Sequence, residues 1–438
     1  MSKKSFVLDT NVLLYDPEAV LKFPDREVII AFSVLEELGA LKKYRDELGK
    51  NARRALRLLD SIRDIGSGDL HGGVKLENGS SIRIQIESGK NYNEGELSYK
   101  GQDRRNKTIL IAKSIQMSGG AVCLVSKDFV SRVKAEAAGI EAEDYENFKE
   151  SFDAVCKPLE VLEVSKDLID TVYKDGFVKL DKPEEEYSPH DFFLLKAKEN
   201  SEMLVKYYEK QKKVGPLKHI SKPVWGISPL NDEQRCAMEV LLDDSIKLVV
   251  LVGQAGTGKT LLAVACGLKK VFDDNVHSKM LVSRPIMPLG KDIGYLPGSK
   301  EEKLQSWMQP IHDNLEFLCD TQSEGGSETL QWILESNKIE MEAVTYIRGR
   351  TLPKSYVIID EAQNLTGHEI KTIISRAGKN TKVILTGDPT QIDNPYLDRD
   401  SNGITLTVAK FKAHSIFAYV YLTHTERSEL AALAANLM

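Results

Sequence analysis

The chain has 438 residues, enough for two or three domains of ordinary size. Hydrophobic residues make up 42% and charged residues 28%, which fits a globular protein with real cores, and the net charge of −6 excludes a global basic field, so any nucleic-acid contact must come from local patches. The five cysteines (Cys123, Cys156, Cys236, Cys266, Cys319) are isolated and odd in number, which argues against a disulfide framework or a C-x-x-C zinc site and fits a reducing cytoplasm.

At the N-terminus Asp9 interrupts the apolar run Phe6-Val7-Leu8, so no secretory signal is expected. No apolar stretch approaches the roughly 20 residues that span a bilayer. The expectation is a cytoplasmic protein with no membrane partner, in which Asn78-Gly79-Ser80 is a turn rather than a glycan site.

Residues 1–148 alternate short apolar runs with helical patterns. Phe6–Leu8, Val28–Ala31 and Val122–Val125 read as buried strands of a parallel α/β sheet. Residues 51–64 read as a helix with Ala52, Leu56, Leu59 and Ile62 facing inward. Val74 and Leu76, then Asn78-Gly79, then Ile82, Ile84 and Ile86 predict a hairpin around a two-residue turn. Residues 149–228 differ in character. Val172–Leu180 alternate around Asp175-Gly176 as a second hairpin signal, and Gly215-Pro216 and Pro223 mark loops. A small β-rich module plus linker is predicted, and an oligonucleotide-binding barrel is one fold it could take. Residues 229–438 return to α/β, with strands at Leu248–Val252, Met280–Ser283, Val357–Ile359, Val383–Thr386 and Phe417–Leu422, spaced for the crossover helices of a doubly wound sheet.

Gly253-Gln254-Ala255-Gly256-Thr257-Gly258-Lys259-Thr260 matches G-x-x-x-x-G-K-[ST] between an apolar strand and the helical pattern Leu261–Val271. Its glycines let backbone N–H groups approach the phosphates of ATP, Lys259 reaches the β and γ phosphates, and Thr260 holds Mg²⁺. Val357-Ile-Ile-Asp360-Glu361-Ala-Gln363 supplies the second half: Asp360 for Mg²⁺ and Glu361 to polarise the attacking water. Gln391, in Thr386-Gly387-Asp388-Pro-Thr-Gln391, is positioned to sense the γ-phosphate from the neighbouring strand end. Gln234 can make paired hydrogen bonds to adenine, while Asn231 serves as a helix N-cap.

This set resembles superfamily-one helicases. Ser283-Arg284-Pro285, Gly294-Tyr-Leu-Pro-Gly298, Trp307-Met-Gln-Pro310, Tyr346-Ile-Arg348-Gly-Arg350 and Glu426-Arg427-Ser428-Glu-Leu-Ala narrow the resemblance to the PhoH family over residues 225–438, which implies a RecA-like P-loop ATPase. The stretch from Gly253 to the C-terminus is long enough for one such core only. A ring, expected as a homohexamer, would let a neighbour complete the site with Arg427, since an arginine finger is worth 10³–10⁵ in rate. Pairing of Arg427 with Glu426 or Glu429 is the plain alternative, and Arg348 and Arg350 are rivals that could instead grip RNA phosphates.

In the N-terminal domain, Asp9-Thr10-Asn11, Glu36-Glu37-Leu38, Asp103 and Ser126-Lys127-Asp128 place carboxylates near strand ends, where a parallel sheet can gather them at one edge. Such a cluster with Mg²⁺ or Mn²⁺ suits phosphodiester hydrolysis. The combination resembles a PIN-domain ribonuclease over residues 5–148. The resemblance implies Asp9, Glu37, Asp103 and Asp128 as the acids, with Thr10, Asn11 and Ser126 in support and Glu37 preferred to Glu36 because it precedes a Leu. Lys50, Arg53, Arg54 and Arg57 fall on one helix face, either to neutralise RNA or simply to meet solvent. Domain order resembles the PIN–PhoH fusion proteins, which implies an ATP-dependent RNA helicase or translocase coupled to a metal-dependent ribonuclease acting on single-stranded RNA. The alternatives are an RNA-binding ATPase with an inactive PIN domain, or an ATP-switched scaffold for RNA-processing partners.

Overall fold

A computed structural model describes the chain apart from residues 1–3, 45–46, 66–68, 87–103, 146–150, 182, 184–186, 199–200, 221, 287–299, 323–325, 348, 396 and 427–438. It divides into two compact units, Met1–Lys149 and Glu150–Met438. Among the described residues, no helix is long and apolar enough to cross a membrane.

The first unit runs β1 (Ser5–Leu8), α1 (Thr10–Tyr15), β2 (Glu27–Ala31), α2 (Phe32–Leu41), α3 (Glu47–Ile65), β3 (Val74–Lys75), β4 (Ser81–Gln85), α4 (Arg104–Met117), β5 (Val122–Val125), α5 (Phe129–Ala137) and β6 (Glu141–Glu143). Its sheet has the order β3-β4-β2-β1-β5-β6, parallel except where β3 meets β4. Every residue of β1 and β5 is buried, because helices cover both faces of a parallel sheet. Ala52, Leu59 and Ile62 of α3 are buried and Leu56 packs against them. The hairpin turn is longer by one residue than the sequence pattern predicts. Gly79 N–H donates to the Leu76 carbonyl, and Gly79, at φ 77°, closes a three-residue loop. The Asn78 side chain accepts from Ser80 N–H and Oγ and donates to the Leu21 carbonyl, so Asn78 is held out of the left-handed region that a two-residue turn needs.

The second unit opens with α6 (Phe152–Val155), β7 (Glu160–Glu163), α7 (Lys166–Asp175), β8 (Phe192–Ala197), β9 (Ser201–Tyr208) and β10 (Lys213–Pro216). The strands form an open sheet, β10-β9-β8-β7, and not a barrel. The hairpin expected at Asp175-Gly176 is a helix end. Ser165 caps α7, Ile169 and Val172 bury its inner face, and Gly176 stops it at φ 78°. One face of the sheet packs on α7 through Phe193, Leu195 and Val205; Leu194 and Leu204 join the core of the α/β domain that follows. Phe152, Val155 and Cys156 also belong to an α/β core, so the segment assigned to the module's start is built into the neighbouring domain.

That domain comprises α8 (Asp232–Leu242), β11 (Leu248–Gly253), α9 (Lys259–Leu268), β12 (Lys279–Arg284), α10 (Lys300–Gln322), α11 (Gly326–Glu335), β13 (Ile339–Ala343), α12 (Val344–Ile347), β14 (Ser355–Ile359), α13 (Gly367–Ile374), β15 (Lys382–Gly387), α14 (Gly403–Phe411) and β16 (Phe417–Leu422). Six parallel strands follow the order β13-β12-β14-β15-β11-β16. The five strands foreseen are present, and β13 adds an edge strand. One strand, β15, separates the P-loop strand β11 from the Asp-Glu strand β14, so the carboxyl ends of all three converge on one site.

Candidate active sites

In the second unit the P-loop joins β11 to α9. Gly256 and Gly258 take φ of 83° and 87°, and a Cβ on Gly253 would lie 2.3 Å from the Leu422 carbonyl oxygen. Only glycine suits such positions. Lys259 Nζ donates to the carbonyls of Gly253 and Gln254, at 2.6 and 2.7 Å, and so curls over the loop's own backbone. A cavity of about 740 Å³ opens here, and its lining includes Gly256, Gly258, Lys259 and Thr260 of the P-loop, Asp360, Glu361 and Gln391, and Leu230, Gln234 and Phe317.

Asp360 follows β14 and is 4% exposed. Its Oδ1 accepts from Thr260 Oγ1 at 2.8 Å and from Thr386 Oγ1 at 2.6 Å. The carboxylate and the Thr260 hydroxyl are hard oxygen donors at contact distance, the chemistry that suits Mg²⁺. Glu361 occupies a left-handed backbone conformation (φ 54°), uncommon outside glycine and a conformation that clusters at functional sites. Its Oε2 accepts from Gln363 Nε2 at 2.6 Å; the same nitrogen donates to the Gln391 carbonyl at 2.9 Å, and Gln363 Oε1 accepts from Asp388 N–H at 3.2 Å. Fully buried Gln363 thus ties the Glu361 carboxylate to the loop after β15. Asp388 in turn accepts from Ala255 N–H of the P-loop at 3.1 Å. Sequence reasoning assigned roles to Gln391, whose exposed side chain lines the cavity, but none to Gln363, Asp388, Thr386 or Arg284.

Gln234 is buried. Its Oε1 accepts from Leu230 N–H at 2.8 Å, and its Nε2 donates to the Thr257 carbonyl at 3.2 Å. It therefore braces the P-loop and, by count, keeps one N–H and one lone pair. Asn231 caps α8 through Gln234 N–H, as expected, and also donates to Glu426. Glu426 N–H reaches the Gly256 carbonyl, and buried Glu233 holds Thr423 and His424. The chain leaving β16 is thereby laced to its own P-loop up to Glu426. Arg427, Arg348 and the motif at 294–298 lie outside the described residues. Arg350 is paired with Glu340 and Glu342 of β13.

In the first unit Asp9 caps α1 at the end of β1. Its Oδ1 accepts from Thr10 N–H at 2.8 Å; Oδ2 accepts from Asn11 Nδ2 at 2.8 Å and Ser126 Oγ at 2.7 Å. Burial pushes the Asp9 carboxyl above its ordinary range, outweighing these hydrogen bonds, and Glu37 pushes the same way. Thr10 Oγ1 donates to Glu37 Oε2 at 2.6 Å, whereas Glu36 is exposed. Asp128 caps α5 through Val130 N–H, and its own N–H donates to Ser126 Oγ. Hydroxyl and amide groups of Thr10, Asn11 and Ser126 thus link three of the four expected acids, and Asp103 lies outside the described residues. Among the described residues these acids do not converge to within 4.8 Å; the group that does, Cys123 with Glu141 and Glu143, is accompanied by Lys4, 2.7 Å from Glu141, and reads as an ion pair. On α3, Arg53 donates to the carbonyls of Lys42 and Tyr44 and so braces a loop.

Comparison with known proteins agrees with both halves. The family model for the PhoH-like protein matches residues 226–437, and the model for the PIN domain matches residues 6–146. Protein PhoH2 of Bacillus subtilis is 42% identical over 99% of this chain and 100% of its own length. Protein PhoH2 of Mycolicibacterium smegmatis is 33% identical over 99% of this chain and 97% of its own. Among solved structures, the Pif1 helicase from Candida albicans covers 48% of this chain and 43% of its own at 15% identity and a TM-score of 0.26, too slight a likeness to carry an argument.

Proposed function

The chain belongs to the PhoH-like proteins that carry an N-terminal PIN domain, and from that premise we propose that it is an ATP-driven RNA helicase or translocase coupled to a metal-dependent ribonuclease. The observation that carries the ATPase half is the array Thr260–Asp360–Glu361–Gln363–Asp388 around one cavity. In this reading the P-loop amides and Lys259 bind the phosphates, Thr260 and Asp360 hold Mg²⁺, and Glu361 orients the attacking water. A bound Mg²⁺ would supply charge neutralisation for the phosphates. Gln391 senses the γ-phosphate from the cavity rim, and Gln234 offers its remaining donor and acceptor to adenine. In the PIN domain, Asp9, Glu37, Asp103 and Asp128 are the acids, holding Mg²⁺ or Mn²⁺ against a single-stranded RNA phosphodiester. The expected assembly is a ring, with Arg427 reaching a neighbour's γ-phosphate.

The test is a labelled RNA with a duplex and a single-stranded tail, incubated with Mg²⁺ or Mn²⁺, with and without ATP. ATP-dependent strand release together with metal-dependent cleavage supports the reading. RNA-stimulated ATP hydrolysis without cleavage in either metal leaves an ATPase whose PIN domain only binds RNA, and hydrolysis indifferent to RNA leaves the scaffold.

A further inference from the structure

A charge as buried as that of Asp360 requires compensation. Parallel pairing of β12 with β14 sets Ser283 opposite Ile359, which brings the next residue, Arg284, beside Asp360. Arg284 Nε lies 3.3 Å from Asp360 Oδ2 without hydrogen-bond geometry, an electrostatic contact only. Arg284 Nη2 lies 3.4 Å from Glu361 Oε1. Gln363 holds the other oxygen of Glu361, so each carboxylate oxygen of the expected water-orienting residue has a partner. Arg284 also has a third seat: its Nη1 donates to the Trp307 carbonyl at 3.1 Å, and its guanidinium stands 5.5 Å from the Trp307 ring centroid.

We propose that Arg284 is the counter-ion of Asp360 and Glu361, and that a divalent cation arriving with nucleotide competes with it for both acids. The proposal rests on the ATPase reading above. Thr260 and Asp360 offer the cation the same acidic corner that the guanidinium neutralises, and two positive groups at contact distance repel. Arg284 can withdraw onto Trp307 without leaving the site. As a positioning residue it therefore sets how much Mg²⁺ the nucleotide needs.

Thermal melting of the full chain, without ligand and with Mg²⁺-ADP, tests this in the wild type, Arg284→Gln, Arg284→Lys, Asp360→Asn and the double variant Arg284→Gln/Asp360→Asn. Binding of a fluorescent ADP analogue across a Mg²⁺ titration gives the half-saturating Mg²⁺. Expected are a lower ligand-free Tm for Arg284→Gln, recovery in Arg284→Lys, and little loss in the Asp360→Asn background, where no buried charge awaits a partner. The half-saturating Mg²⁺ should fall in Arg284→Gln by about fivefold or more. The double variant reports even if Arg284→Gln alone does not fold. An equal Tm loss in the Asp360→Asn background, or an unchanged or raised Mg²⁺ requirement, overturns the proposal while the wild type still responds to Mg²⁺-ADP. A wild type that neither binds Mg²⁺-ADP nor hydrolyses ATP overturns the ATPase reading and this proposal with it.

Discussion

Replacing Gln363 with Met separates the chemistry of the ATP site from its binding. The unbranched thioether keeps the length and most of the volume of the side chain, so the fully buried position stays filled. What goes is the 2.6 Å hydrogen bond to Glu361, the 2.9 Å bond to the Gln391 carbonyl and the acceptor for Asp388 N–H. A hydrogen bond to a charged group contributes about 1.5–3 kcal/mol, which, if it aims Glu361 at the water, corresponds to about 10- to 150-fold in kcat. The buried Asp388 N–H left without an acceptor costs about 1–3 kcal/mol of stability. Nucleotide affinity should hold, because the P-loop amides, Lys259 and the Asp388–Ala255 contact are untouched. Steady-state phosphate release with Mg²⁺-ATP measures kcat, calorimetry with ADP measures binding, and a melt confirms the fold. A folded variant with kcat within threefold of wild type refutes the reasoning. A fall in kcat matched by an equal fall in ADP affinity shows instead that Gln363 shapes the cavity and does not aim Glu361.

Lys206→Met should destabilise the second unit by about 3–5 kcal/mol in urea titrations, because Lys206 stands 3.1 Å from Asp243 and 3.8 Å from fully buried Glu239, and a loss below 1 kcal/mol would show that Glu239 is satisfied by the Lys218 and His219 amides alone. For Asp9 the folded-state carboxyl is raised, chiefly by burial, so its stabilising contribution is full below the ordinary value of 3.8 and is lost as pH rises through the folded value; urea titrations across that window should show a downward slope in the metal-free wild type that is absent in Asp9→Asn, and equal slopes count against it. Asp9→Asn with Asp128→Asn should abolish ribonuclease activity and spare ATP hydrolysis, and undiminished cleavage by the purified double variant would mean that other groups hold the metal. Mixing Lys259→Ala with Arg427→Ala should partly restore ATPase activity if Arg427 acts across a subunit boundary; no recovery despite proven subunit exchange removes that role.

Much of this architecture is legible because parallel strands covered on both faces must be continuously apolar, and Val249–Val252 and Val357–Ile359 are. Edge and small-sheet strands carry a weaker signal. In β13 the alternation Ile339, Met341, Ala343 against Glu340 and Glu342 is present in the sequence, but a run this short between helices competes poorly with a loop. Asp175-Gly176 shows the converse ambiguity. The same glycine that closes a hairpin also ends a helix in the left-handed region, and the deciding cue was Ser165 with Ile169 and Val172 at helical spacing.

The sites divide along a similar line. Lys259-Thr260 and Asp360-Glu361 are readable because phosphate chemistry demands those residue types in adjacent pairs beside strand ends, although the two pairs lie 100 positions apart. Asp9 and Asp128 are readable for a weaker reason, since a strand-end Asp also serves as a helix cap, and both do cap helices. Residues that answer to the charge of others are hidden, because their need arises only once strands are ordered. Arg284 and Glu361 stand 77 positions apart, and nothing in local spacing pairs them. Their meeting requires that β12 lie beside β14 with Ser283 opposite Ile359. Gln363 is close in sequence to Glu361, yet its second and third partners sit on the loop after β15. A motif therefore proposes the groups for phosphate and metal, while the groups packed around them follow from the strand order.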